Sequence, residues 1–169
     1  MLTVKPTPET AAEWSAVEEF FRDLGSQRDR SRLKPVTDTI RRGFARNFLD
    51  ESSGDGVQWD PLAPATVKDR EEQGYPGESP ILVRAGDYAR SFTNDGDVDH
   101  VEEITPLSTG FRIEVGSRDY RADILEEGGF VDFNGSLVYV PARPVTILGD
   151  RHESDIGDAL DAFFLSLEG

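Results

Sequence analysis

The chain has 169 residues, enough for one domain with a real core and too few for two. Acidic residues number 33 against 18 basic ones, 15 of them Arg, for a net charge of −15. No cysteine occurs, which excludes disulfides, thiolate metal sites and a Cys nucleophile.

Hydrophobic residues make up 37% of the chain, below the usual ~45–50%, so a modest core is expected, with some apolar surface completed by a neighbouring subunit. Two explanations compete for the acid excess. In a high-salt habitat the Debye length falls to ~3 Å at 1 M and self-repulsion disappears. A GC-rich genome would favour Arg over Lys codons but leaves the acids unexplained. The first is preferred, and unfolding midpoints in low and in molar salt separate the two. No apolar run approaches the ~18 residues of a membrane span, and the first residues lack the basic and apolar regions of a signal peptide.

In chain order, Thr7-Pro8-Glu9 opens a helix with a hydroxyl cap, a proline in the first turn and an acid beside it. Trp14, Val17, Phe20, Phe21 and Leu24 follow at helical spacing, and Gly25 ends it. Ser26 to Lys34 is charged linker. A second helix is expected from Pro35 to Leu49, where Val36, Ile40, Phe44 and Phe48 recur every four residues. Glu51 to Gly56 is loop. Trp59 to Thr66 opens a short polar helix ending near Gly74, with Pro64 in its first turn. Gln73 to Pro80 is a long loop. Asp87 is the expected cap of a short helix through Tyr88 and Phe92.

From Val98 the period changes to two. Val98, His100 or Val101, and Ile104 form one strand. Phe111, Ile113 and Val115, alternating with Arg112 and Glu114, form the next, half-buried. Tyr120 to Glu127 reads as a short helix stopped by Gly128-Gly129. Phe130, Val131 and Phe133, the turn Asn134-Gly135, and Leu137 to Val140 make a second hairpin. Asp150 or Ser154 caps a last helix lined by Ile156, Leu160, Phe163, Phe164 and Leu167. The whole is α+β: N-terminal helices and a C-terminal helix packed on a small antiparallel sheet with long loops, in a single domain over 1–169. Residues 1–33 are its N-terminal helix and linker and 34–169 its core.

Catalytic chemistry has little to draw on. His100 and His152 are far apart, no Gly-x-Ser-x-Gly elbow, Walker loop or dinucleotide fingerprint occurs, and both histidines are expected to face water. Asp95-Gly-Asp-Val-Asp99 starts like a calcium loop. His100 then stands where that loop needs glycine, and Pro106 where it needs glutamate. No catalytic, cofactor or metal residue is assigned.

Two features remain. Between Arg28 and Arg46, seven basic residues (Arg28, Arg30, Arg32, Lys34, Arg41, Arg42, Arg46) stand against two acids, a basic window in an acidic chain. Such segregation marks a surface for something negative, either DNA or the acidic face of a neighbouring copy; the alternative is a solvated helix face. The second feature is Pro141-Ala142-Arg143-Pro144, a stiff corner after an apolar strand. Its prolines fix φ near about −65° and supply no amide donor. The bland reading is a stiff loop; the other is that its arginine pairs bidentately with a carboxylate, expected at a subunit boundary.

Taken in order, Trp59-Asp-Pro-Leu-Ala-Pro-Ala-Thr66, Pro80-Ile-Leu-Val-Arg-Ala-Gly-Asp-Tyr-Ala-Arg-Ser91 and Val140-Pro-Ala-Arg-Pro144 resemble the virion-morphogenesis, or tail-completion, family of tailed viruses. Trp59, Pro61, Leu62 and Thr66 fit the first motif of that family; Leu82, Gly86 and Ser91 fit the second, with Tyr88 where an aliphatic is usual. Tyr120, Glu127 and Gly128 fit a third loosely. Pro141, Ala142, Arg143 and Pro144 fit the last, with Val145 in place of an aromatic. The likeness covers about residues 35–168 and leaves the first helix outside it. It implies a non-enzymatic subunit that forms a ring, expected to be of six copies, at the head–tail neck. The ring would bridge the connector and the tail tube or tail terminator around the DNA channel, without sequence-specific DNA binding and without a membrane. Its place would be the virion tail, assembled in the host cytoplasm. Tail terminator and head–tail connector are the alternatives within that class; a small nucleic-acid-binding module and a carboxylate hydrolase lie outside it.

Overall fold

The computed structural model describes residues 31–107 and 110–166. Arg28, Arg30, Leu167 and the helix expected from Thr7 with its Trp14–Leu24 stripe lie outside the described residues. Among the described ones are five α-helices and two two-stranded antiparallel sheets, the α+β class expected. The small sheet is in fact two separate hairpins. The chain between them forms a short helix and then turns through Gly128 and Gly129 at φ 70° and 145°.

A 3-10 turn, Ser31–Leu33, leads into α1, Lys34–Asp50. The four-residue spacing holds: Val36, Phe44 and Phe48 are buried and Ile40 half-buried. Leu33, read from the sequence as part of a polar linker, is fully buried beside Val36 and Phe163. The helix ends at Glu51, which is left-handed at φ 51°. The Glu51 carboxylate then accepts from the Ile81 amide at 2.8 Å and from the Ser79 hydroxyl, fastening the loop before α3.

Helix α2, Pro64–Glu72, starts with proline at a position where no intrahelical donor is needed. Buried Arg70 donates to the carbonyls of Gly77 and Pro80, both at 3.1 Å, and so folds the long loop back on the helix. Helix α3, Asp87–Thr93, is capped by Gly86 at φ 78°, and not by Asp87 as expected. Asp87 is the first helical residue, and its carboxylate accepts from Arg121 Nη2 at 2.7 Å instead.

Strands β1, His100–Leu107, and β2, Gly110–Ser117, pair from His100↔Ser117 to Leu107↔Gly110. Phe111, Ile113 and Val115 are half-buried and Arg112 and Glu114 exposed, as the alternation requires. Val98 stands outside the strand and is exposed. Helix α4, Ala122–Glu127, is followed by β3, Gly129–Phe133, and β4, Ser136–Val140, around the Asn134-Gly135 turn. Helix α5, Asp150–Leu165, closes the fold against α1. Its cap is Gly149, and not Asp150 or Ser154, because His152 Nδ1 accepts the Gly149 amide at 3.2 Å.

Two clusters make the core, one at the start of α1 and one along its later turns. The larger holds Phe44, Phe48, Trp59, Ile81, Tyr88, Phe92 and Val145, with the Phe48 ring edge-on to Trp59 and Tyr88. The smaller holds Leu33, Val36 and Phe163 with Phe111 and Ile113. At ~1.5–3 kcal/mol for each large side chain removed from water, these clusters supply the main drive to fold.

Both histidines correct the expectation of solvent exposure. The His100 side chain is only 3% exposed, and its Nδ1 donates to the Ser91 carbonyl at 2.8 Å. His152 is buried against Gly43 and Gly54, where a side chain in place of either glycine would meet its ring. Each is a packing residue at the start of an element, and each leaves Nε2 without a hydrogen-bond partner.

Asp95, the first acid of the calcium-like run, accepts from Lys34 Nζ at 2.7 Å and lies 3.1 Å from Arg41 Nη1. The hydrogen bond from Lys34, then that from Arg41, lowers its pKa from 3.8 to about 2. A carboxylate depressed on folding stabilises the fold above its unfolded pKa and loses that contribution as pH falls through the folded value. An NMR titration should therefore place the Asp95 midpoint near 2, with stability drawn from this pair lost between pH 3.8 and 2. A midpoint at 3.8 in low salt would remove the pair.

Candidate functional site

The motif residues meet at the proline corner. Trp59 Nε1 donates to the Pro144 carbonyl at 3.2 Å. Arg143 Nε donates to the Asp60 carbonyl at 3.0 Å and its Nη2 to the Pro61 carbonyl at 3.1 Å. The first and last motifs, some 80 residues apart in sequence, are thus locked to each other. The second motif joins through the core: Gly86 starts α3, whose Tyr88 and Phe92 share the aromatic cluster with Trp59 and Val145.

The expected carboxylate partner of Arg143 is corrected by these contacts. The residue is buried at 5% exposure and bonded to main-chain carbonyls of its own chain. Burial lowers its pKa. It acts as Arg70 does, a buried fork that gathers backbone oxygens. Replacing Arg143 by Met keeps the length and removes the fork. Two carbonyls then lose their donor, at ~1–3 kcal/mol each, offset in part because no charge is buried. Chemical denaturation of the Arg143→Met variant is expected to show a loss of about 2–4 kcal/mol; an unchanged midpoint would deny the fork this role.

Two residues that the sequence did not single out, Asn47 and Glu126, complete the corner together with Gly128, expected as a helix stop. The Asn47 amide on α1 donates to the carbonyls of Val145 at 2.8 Å and Ile147 at 3.0 Å. Glu126 on α4 accepts from the Val145 amide at 2.7 Å and the Thr146 hydroxyl at 2.6 Å. Gly128 lies so close to Ala142 that a Cβ there would stand 2.7 Å from its nitrogen. Asn47 could not be found by pattern, since a polar residue inside a helix looks like surface. Nearby, Arg121 donates to Asp119 and Asp87 and lies 5.3 Å over the Tyr88 ring, tying α4 to α3. The hydrogen bonds from Arg121 hold both carboxyls below the usual carboxylate range.

The β3–β4 hairpin projects from this anchored corner. Phe130, Phe133, Leu137, Val138 and Tyr139 are all exposed, and among the described residues their ring packing is Phe130 on Tyr139 within the hairpin, at 5.3 Å. Beside it lies an apolar crevice of about 460 Å³ between β4 and the turn that opens α2, lined by Pro61, Leu62, Ala63, Thr66, Val138 and Val140 among others. Leu62 is half-buried, while Pro61 and Thr66 are exposed at its rim.

Among the described residues, the basic window is partly paired with acids of its own chain. Arg41 is drawn in-house by Asp38, Asp95 and Glu102. Arg46 lies 3.7 Å from Asp155 of α5. Arg32 is exposed, and so is Arg42, whose Nη2 donates to Thr39 Oγ1 at 2.7 Å. Neither Arg32 nor Arg42 lines the crevice beside the hairpin.

No curated protein and no solved structure matches the chain. A family model, that of the phage virion morphogenesis family, matches residues 12–164. That span takes in much of the segment before residue 34, which the motif likeness left outside. With nearly its whole length inside the match, and the motif residues gathered on one corner, the chain belongs to the phage virion morphogenesis family.

Proposed function

We propose that this virion-morphogenesis protein is a structural subunit of the neck: a tail-completion, head–tail joining protein that forms a ring around the DNA channel. Copies of itself are its first partners, with the connector on one side and the tail tube or terminator on the other. DNA passes through the lumen without being read, and the subunit does no catalysis. The observation that carries this reading is the β3–β4 hairpin, apolar on both faces, exposed, and leading into a corner that Trp59, Arg143 and Glu126 hold. An isolated two-stranded hairpin is marginal in water, and a large exposed apolar patch marks a surface that meets another protein. The acid excess fits the same reading, because a negative wall does not hold DNA back.

A DNA-binding role is less well supported, since Arg41 and Arg46 are paired with carboxylates of their own chain. The test is genetic and visual. Particles made without this protein should contain filled heads and tails of normal length that remain unjoined, and a labelled copy should mark the neck in intact virions. Overlong tails would favour the terminator alternative, and leaking heads the connector. Normal infectious particles would overturn all three.

A further inference from the structure

We infer that the two faces of the β3–β4 hairpin serve two different neighbours, so that copies join head to tail: the outer face of one hairpin seats in the crevice beside the hairpin of the next copy. This rests on the ring reading above and names its contact. Cross-strand partners in a hairpin point to the same side. The register pairs Phe130 with Tyr139 and Asp132 with Leu137 on the outer face, and Val131 with Val138 on the inner one. Val138 and Val140 of the inner face, together with Tyr139, line one wall of the crevice, whose other wall is Pro61, Leu62 and Ala63. Phe130 and Leu137 thus form a ridge beside a socket, with Tyr139 bordering both. A two-fold contact of ridge on ridge would leave the socket open, whereas a rotation that seats ridge in socket uses both and closes into a ring.

The occupant is a second copy because of charge. The segment from Gly129 to Val140 carries one charged residue, Asp132, in a chain that is 30% charged with net −15. Two bodies of that charge repel over most of their surface, and only a charge-poor patch lets them approach. A basic partner would instead be met by acids, and the socket side again offers little charge, Asp60 and Arg143 apart. Arg143 is turned inward to the Asp60 and Pro61 carbonyls.

Area sets the strength. Phe130, Leu137 and Tyr139 are 69%, 75% and 60% exposed. With ~150–250 Å² for each aromatic side chain, the outer face offers on the order of 400 Å², about half of the ~800 Å² per partner of a standard interface. A single contact is thus weak, and a closed ring, in which every copy makes two, is what persists.

The absence of cysteine allows a direct test on the full chain. Leu137→Cys marks the ridge and Ala63→Cys the socket; both residues are exposed, so neither variant disturbs the core. In molar salt, treated with a short bis-maleimide, an equimolar mixture of the two should give a mixed dimer that neither variant gives alone. The double variant should give a ladder ending at the ring. Dimers of Leu137→Cys alone would show a two-fold contact and overturn the inference. Wild type that sediments as a ring, with no 63–137 linkage, would assign the hairpin to another virion protein or to residues 1–30 of its own chain, and the inference alone fails. Wild type and variants that all sediment as monomers, without linkage, would remove the ring reading and the inference with it.

Discussion

Replacing Gly128 by alanine will destabilise the chain by about 3–5 kcal/mol. Two independent costs add. Gly128 has φ 70° and ψ 175°, a conformation that side-chain-bearing residues avoid, at ~1–3 kcal/mol. A Cβ there would also stand 2.7 Å from Ala142 N and 3.1 Å from the Val140 carbonyl, main-chain atoms that cannot swing aside. Overpacking of this kind costs ~1–3 kcal/mol more. The two atoms it strikes flank Pro141, so the corner must move, and with it the Arg143 amide, which donates to Leu125 O at 2.6 Å. The variant should unfold at markedly lower urea with an unchanged slope. Gly135→Ala is the control: φ is 82° there too, but nothing lies within 4 Å of its Cβ, so only the conformational cost applies. Equal losses for the two would mean that the close approach to Ala142 is not what Gly128 serves.

How much of this was legible in the sequence depended on the range of the force involved. The four-residue apolar spacing in α1 located Val36, Phe44 and Phe48 in the core, and Asn134-Gly135 placed the second turn, because both follow from local geometry. Gly86 displaced Asp87 as a cap, since Arg121, 34 residues away, holds the Asp87 carboxylate. The sequence places His152 in solvent because helix starts usually are solvated. Gly43 and Gly54, about 100 residues earlier, leave the space that buries it. The same limit hid the carbonyl partners of Arg143, as backbone oxygens carry no sequence signature. The hairpin is the instructive case. Its apolar residues read like core, and periodicity has no means of telling a buried strand from one that awaits a partner.

The second large effect is expected at Trp59. The ring is buried, edge-on to Phe48 at 6.0 Å between centroids, and its indole N–H reaches the Pro144 carbonyl at 3.2 Å. Trp59→Ala removes both the packing and the bond, and a buried Trp→Ala change costs ~3–5 kcal/mol. Against a typical total of ~5–15 kcal/mol, that leaves the fold marginal. Trp59→Phe separates the two terms: most of the aromatic contact stays, while the Pro144 carbonyl loses its donor at ~1–3 kcal/mol. Circular dichroism through a urea series should therefore rank wild type above Phe and Phe above Ala. If Phe falls as far as Ala, the hydrogen bond to the corner outweighs the packing. If Phe matches wild type, the corner is held by Arg143, Glu126 and Asn47 without it, and the tryptophan is there for its volume.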